Sequence, residues 1–239
     1  MIGWLIYSAV DVEKNKYYIQ MYKDKFKEHF IEIKLVIVEE LENMEQYVKC
    51  NKVDFAINRS RNHIMGELLE QKGVRVFNSS SVTRIANNKG ITYEFLKDVV
   101  PFLAVKYGNE IIESKIENKG FEYPYVIKSC SGHGGSQVFL VNNSKEDEQA
   151  VKAMNGQEYV VQQCCSDLGR DVRVYIIGNK IIKAVLRTST ESFKSNYSLG
   201  GKVQEYTLNN EEKAMVERIV DKLPLDYAGI DFTFNNGKA

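Results

Sequence analysis

Across its first 77 residues the chain alternates between two hydrophobic periods, and this limits the available folds more than any other feature. Short apolar runs at residues 3–7, 31–38, 53–57 and 74–77 read as strands. Between them lie segments with helical spacing: residues 11–30, where Tyr18, Met21, Tyr22, Phe26 and Phe30 recur among charges, then 40–50 and 62–72. Strands alternating with helices imply βαβ units and a largely parallel sheet, so residues 1–80 are expected to form a small Rossmann-like α/β domain. The run Asn78, Ser79, Ser80, Ser81 ends the alternation and marks its boundary.

Beyond it the pattern changes to α+β. A helix is expected at 81–98, stopped before Pro101, and then strand, glycine-rich turn and strand over 123–142. Next come a helix at 145–154, a strand at 158–163, a hairpin at 170–187 and a polar loop to 202. A helix at 209–223 and a strand at 227–234 complete the chain.

Charge removes some functions from consideration. Lys plus Arg and Asp plus Glu each total 32, so no long-range field draws in nucleic acid. An anion site must then be local, because a few converging cations are screened beyond ~8 Å. Cys50, Cys130, Cys164 and Cys165 lack CxxC spacing, which reads as reduced thiols in a cytoplasmic protein. Residues 1–7 are apolar without a basic flank and read as a first strand, not a signal peptide; no run is long enough to span a membrane.

Three segments carry candidate chemistry. Lys128 ends an apolar strand and precedes Ser129, Cys130, Ser131, Gly132, His133, Gly134, Gly135 and Ser136. That loop matches neither GxxxxGK[ST] nor GxGxxG, both of which enter a helix, whereas this one enters a strand. Small residues there let backbone N–H groups reach an anion, with Lys128 as a point charge. An ordinary hairpin with an exposed lysine accounts for the same residues.

In the second segment Asp171, Arg173 and Tyr175 share one strand face, and Val172, Val174 and Ile176 the other. A three-residue loop at 178–180 would set Arg173 opposite Val185 and Asp171 opposite Arg187. A two-residue loop would turn Arg187 to the other face, and the residues leave both registers open. Fixed Arg forks suit phosphoryl transfer, but a cross-strand ion pair is an equally good account. The third segment is the last strand, where Asp231 lies opposite the set Ile230, Phe232 and Phe234 and could hold Mg²⁺. In the first domain Arg59 and Arg61 follow a strand, where α/β sheets bind ligands; they are candidates for substrate carboxylates or simply solvated.

In this order the segments from Phe77 to Asp231 resemble the ATP-grasp superfamily, specifically RimK-like ligases that add amino acids such as glutamate to a carboxylate. The resemblance implies a pre-ATP-grasp Rossmann-like domain at 1–80, a central and lid subdomain at 81–156, and a C-terminal subdomain at 157–239. It implies an ATP-dependent carboxylate–amine ligase acting through an acyl phosphate, with ATP and Mg²⁺ (or Mn²⁺) as cofactors. Lys89, within Asn88-Lys89-Gly90, and Lys128 match the nucleotide lysines, and Gly132, His133, Gly134 and Gly135 the mobile phosphate-covering loop. Gln163 and Cys164 fall in the adenine hinge, where the family has Glu and an aromatic. Asp171, Arg173 and Arg187 match the ligase hairpin, which implies Asp171 at the nucleotide and Arg173 and Arg187 as catalytic. Lys194, Ser195 and Asn196 match a Phe-Arg-Ser-Asn element in which Lys replaces Arg, and Asp231 matches the first metal ligand.

The family continues into a Glu-x-Asn strand, and residues 237–239 stop before it, so either a fragment or altered metal binding is expected. The expected partners are a small-molecule or peptide carboxylate and an amino-acid-like amine, with no nucleic acid or membrane; a homo-oligomer is compatible with the sequence. The competing readings are an ATP-binding protein with a regulatory or structural role, and a Rossmann module fused to an unrelated α+β domain.

Overall fold

The strand Ile2–Tyr7 (β1) holds Trp4, Leu5 and Ile6 entirely out of solvent. Both of its faces are therefore covered, as a central strand of a parallel sheet requires. It pairs in parallel with Glu32–Ile37 (β2) on one side and Phe55–Asn58 (β3) on the other. Arg75–Phe77 (β4) completes the order β2-β1-β3-β4. Gly3 is needed for this packing, since a Cβ there would lie 2.3 Å from the Phe55 ring. The computed structural model describes residues 1–108, 121–135, 137–195 and 200–238, in two compact units, Met1–Ala86 and Asn87–Ala239.

The first crossover differs from expectation. Helices Ala9–Val12 and Lys16–Lys27 replace a single run, with the 3-10 turn Glu13–Asn15 between them. The inward stripe is Ile19, Tyr22 and Phe26, with Phe26 stacked on Phe55 at 5.5 Å. Tyr18 and Met21 sit one position out of phase and are exposed, and Phe30 lies beyond the last helical turn, 94% exposed. Helices Met44–Cys50 and His63–Gln71 start where the Asn43 and Asn62 side chains accept from backbone N–H groups.

The helix expected at 81–98 is two helices, Ser80–Ala86 and Lys89–Leu96. Asn88 adopts φ −128° and ψ 112°, and its side chain accepts from Ile91 N, so it caps the second helix. The Glu70 carboxylate accepts from Ser80 N at 2.8 Å, and Ser80 packs over Gly66. These contacts tie the first of the two helices to the first unit, which runs to Ala86 and not to residue 80.

The second unit holds two antiparallel sheets. Val105–Tyr107 (β5), Tyr125–Ser129 (β6), Val138–Val141 (β7) and Tyr159–Gln163 (β8) lie in the order β5-β8-β6-β7. Arg170–Ile177 (β9), Lys180–Thr188 (β10), Lys202–Tyr206 (β11) and Tyr227–Thr233 (β12) lie in the order β11-β10-β9-β12. Strand β8, assigned from the sequence to the segment 157–239, belongs instead to the glycine-loop sheet. It pairs with both β5 and β6, which leaves Val160 and Val161 fully buried.

Ala150 and Met154 of helix Ser144–Met154 pack on Tyr125 and Ile127. Helix Asn210–Lys222 begins with a capping box between Asn209 and Glu212, and its Met215 and Ile219 meet Leu96 and Val100. No described helix is long and apolar enough to cross a membrane.

Candidate active site

The glycine loop joins β6 to β7, and its Gly134 and Gly135 take φ +63° and +80°. Few side chains tolerate that region, so these positions need glycine. Three lysines gather on this loop. The Lys89 ammonium donates to the carbonyl oxygens of Ser129 (3.0 Å) and Gly132 (2.5 Å), and Lys194 donates to that of Gly135 (2.6 Å). Lys128 donates to the side-chain oxygen of Gln162.

Among the described residues every one of these acceptors is an uncharged oxygen, so no carboxylate neutralises the cluster. Burial, and then repulsion by Lys128, lowers the Lys89 ammonium below the usual lysine range. Burial lowers Lys128 and Lys194 in the same direction. Desolvated, like-charged lysines facing small flexible backbone make a site that favours a polyanion.

The hairpin β9–β10 resolves the open register by a route outside both alternatives. The turn is Gly178 and Asn179, both with positive φ, and Lys180 faces Ile177. An uninterrupted two-residue hairpin would then put Arg187 opposite Arg170. A bulge at Ile182, between the pairs Ile181–Ile176 and Lys183–Tyr175, adds one residue to β10. Arg187 thus meets Asp171, and Val185 meets Arg173.

Arg187 Nε and Nη2 donate to the two Asp171 oxygens at 2.6 and 2.7 Å, and Nη2 lies 3.1 Å from Asp231 Oδ1. On the other side β12 sets Asp231 opposite Arg173, whose Nε and Nη2 donate to it at 2.7 and 2.5 Å. Gly229 leaves the room this requires, since a Cβ there would lie 3.2 Å from Arg173 Nε. Burial opposes the Arg187 charge, but the Asp171 hydrogen bonds and Asp231 outweigh it and hold the guanidinium above its ordinary value. The Asp231 hydrogen bonds do the same for Arg173. The result is a four-membered network of zero net charge. Each guanidinium keeps an Nη1 with no acceptor among the described residues.

Asp171, expected at the nucleotide, spends both oxygens on Arg187. Gln163 is exposed, its backbone N–H donating to Ala104 O at 2.9 Å, and Cys164 is half-buried. His133 is exposed on the loop and Ser195 is buried. Asn196 and Ser136 lie outside the described residues. Among the described residues no three His, Cys, Asp or Glu side chains cluster as a metal site. Mg²⁺ commonly takes one or two carboxylates and completes its shell with phosphates and water, whereas both oxygens of Asp231 already accept from guanidinium groups.

Two further residues matter here. Gln162 orients Lys128 and is also hydrogen-bonded to Tyr93, whose hydroxyl is pushed up to about 12 by burial. The alternation of β8 sets Gln162 on the same side as Val160. In the first unit, Arg61 is ion-paired with Asp11, and Arg59 is hydrogen-bonded to the Tyr7 hydroxyl.

A family model described as a RimK-like ATP-grasp domain matches residues 86–239. An uncharacterized protein, MG011 homolog, of Mycoplasma pneumoniae is 30% identical over 234 residues, covering 97% of this chain and 78% of that protein. A probable alpha-L-glutamate ligase of Haemophilus ducreyi is 25% identical over 172 residues, covering 69% of this chain and 56% of that protein. A crystal structure of a RimK domain ATP-grasp protein from Sphaerobacter thermophilus has the same fold. Its TM-score is 0.73 at 19% identity, covering all of this chain and 88% of that one.

Proposed function

The chain belongs to the RimK-like ATP-grasp family, and from that premise we propose that it is an ATP-dependent carboxylate–amine ligase working through an acyl phosphate. The observation that carries the reading is the cluster of Lys89, Lys128 and Lys194 on the glycine loop, which lacks a neutralising carboxylate among the described residues. A triphosphate supplies the missing negative charge.

The chemistry divides between the two groups of side chains. Lys89 and Lys128 hold phosphate oxygens, and the loop at 132–135 covers them and excludes water from an intermediate prone to hydrolysis. A carboxylate oxygen of the substrate attacks the γ-phosphorus and ADP leaves. The amine nitrogen then attacks the acyl carbon, phosphate departs and the amine loses a proton. Arg187, anchored by Asp171, offers its Nη1 to the charge that develops on phosphoryl and acyl oxygens, with Arg173 beside it. Asp231 is the residue that would hold Mg²⁺ or Mn²⁺, which would supply charge neutralisation on the nucleotide. The relative named as a probable glutamate ligase makes glutamate the first amine to test.

Phosphate release from ATP with candidate carboxylates and glutamate, together with mass detection of the amide, tests the reading. Arg187→Ala is expected to lower turnover roughly 10²–10³-fold while ATP binding by calorimetry weakens only modestly. Equal loss of both would contradict the assigned role. A second reading, a nucleotide-binding protein without ligase activity, is favoured by one contact: both Asp231 oxygens already accept from guanidinium groups. ATP binding with no product from any carboxylate and amine would select it.

A further inference from the structure

Two thiols stand together at the edge of the lysine cluster. Cys164 and Cys165 follow β8 directly, just past Gln162, and both are half-exposed. Gln162, two residues before Cys164, orients Lys128. The other two thiols differ from them: Cys50 is exposed in the first unit and Cys130 is buried.

We propose that Cys164 and Cys165 form a two-sulfur site for a soft thiophilic centre, with trivalent arsenic as the probe, and that its occupation antagonises ATP binding. The antagonism rests on the nucleotide reading of the lysine cluster; the two-sulfur binding does not.

Geometry favours an inserted atom over a direct bridge. Neighbouring Cα atoms are ~3.8 Å apart across a trans peptide, whereas relaxed disulfides span ~4.4–6.8 Å. One atom between the sulfurs enlarges the ring and relieves that constraint. A closed tetrahedral zinc site needs four ligands, and no cluster of even three His, Cys, Asp or Glu is present among the described residues. A centre satisfied by two sulfurs fits what is there.

With an arsenoxide the step is balanced. Two S–H bonds and the As=O bond break, two As–S bonds form, and both protons leave on the oxygen as water. Arsenic stays trivalent, so no oxidant or reductant is required. Two sulfurs on one arsenic make a ring that a monothiol cannot displace singly, so chelation outlasts attachment through either thiol alone. The adduct places bulk at the end of β8 and removes two thiols from the surroundings of Lys128.

The test uses the full chain and phenylarsine oxide. Intact-mass measurement is expected to show one adduct that survives excess monothiol in the unsubstituted protein and in Cys50→Ser. None should survive in Cys164→Ser or in Cys165→Ser. A persistent adduct in either of those variants, or its loss in Cys50→Ser, overturns the two-sulfur site. Calorimetry with MgATP is then expected to show roughly tenfold weaker binding to the adduct, within the ~5–150-fold range usual for coupled sites. Arsenical affinity should fall by the same factor when MgATP is present. Equal ATP affinity with and without the adduct overturns the antagonism. No ATP binding by the untreated protein overturns the nucleotide reading and takes the antagonism with it, while the mass result decides the two-sulfur site independently.

Discussion

At the scale of single residues, the lysine cluster sets a pH signature with a fixed sign. Lys89, Lys128 and Lys194 all have folded-state values below the ordinary 10.5. The unfolded chain therefore binds these protons more tightly than the folded one. Stability rises with pH from their lowered values up to 10.5, and the full penalty applies below that window. A bound triphosphate restores the charges, so ATP binding on the alkaline side takes up protons. Calorimetry at about pH 9.5 in buffers of different ionisation enthalpy should show net uptake that Lys128→Met reduces. Net release would contradict the assignment. The arginine network makes a second prediction. Among the described residues, Asp171→Ala leaves the buried Arg187 with its 3.1 Å contact to Asp231 as its one remaining ion pair. Such losses cost about 3–5 kcal/mol. Denaturant unfolding should show that loss, and Asp171→Ala combined with Arg187→Met should recover part of it. Arg173 could be placed on the Asp171 face because a strand's period of two alternates side chains between faces, whereas the side taken by Arg187 hung on a register the residues left open. Gln162 was not legible, because its role is a single hydrogen bond across the sheet to Lys128.

At the scale of elements, what could be read depended on whether a feature repeats. The central parallel strands β1 and β3 announce themselves through runs buried on both faces, and the helix expected at 209–223 is Asn210–Lys222. The break at Asn88 rests on one side chain capping a helix, and β11 alternates too weakly to stand out, four of its five residues being exposed. The hairpin register was illegible because a bulge leaves no periodic trace. That bulge yields an unusual expectation. Ile182 is 57% exposed, and its deletion would let the pair Ile181–Ile176 be followed directly by Lys183–Tyr175. Arg187 would stay opposite Asp171 in a regular two-residue hairpin. The deletion should therefore retain ligase turnover and cost no more than ~1 kcal/mol in thermal unfolding. A turnover loss as large as that of Arg187→Ala would show instead that the bulge aims the arginine as well as setting its register.

For the molecule as a whole, each unit carries its own core, and the second carries the three lysines that favour a polyanion. Trp4, Ile6, Ala56, Met65 and Leu69 pack together in the first unit; Tyr125, Ile127, Val141, Met154 and Val161 do so in the second. Units with separate cores can open separately, and a ligand slows only the openings that destroy its site. MgATP at about 100 times its dissociation constant stabilises a binding unit by about 2.7 kcal/mol. Hydrogen exchange of amides released only by complete opening of the second unit, such as those of Ile127, Val160 and Val174, should slow by about 100-fold. Those of Leu5, Ile6 and Ala56 in the first unit should hold their rates. Equal slowing in both would mean that the two units open as one. Slowing confined to the first would move the nucleotide away from the lysines and leave the glycine loop as a plain hairpin.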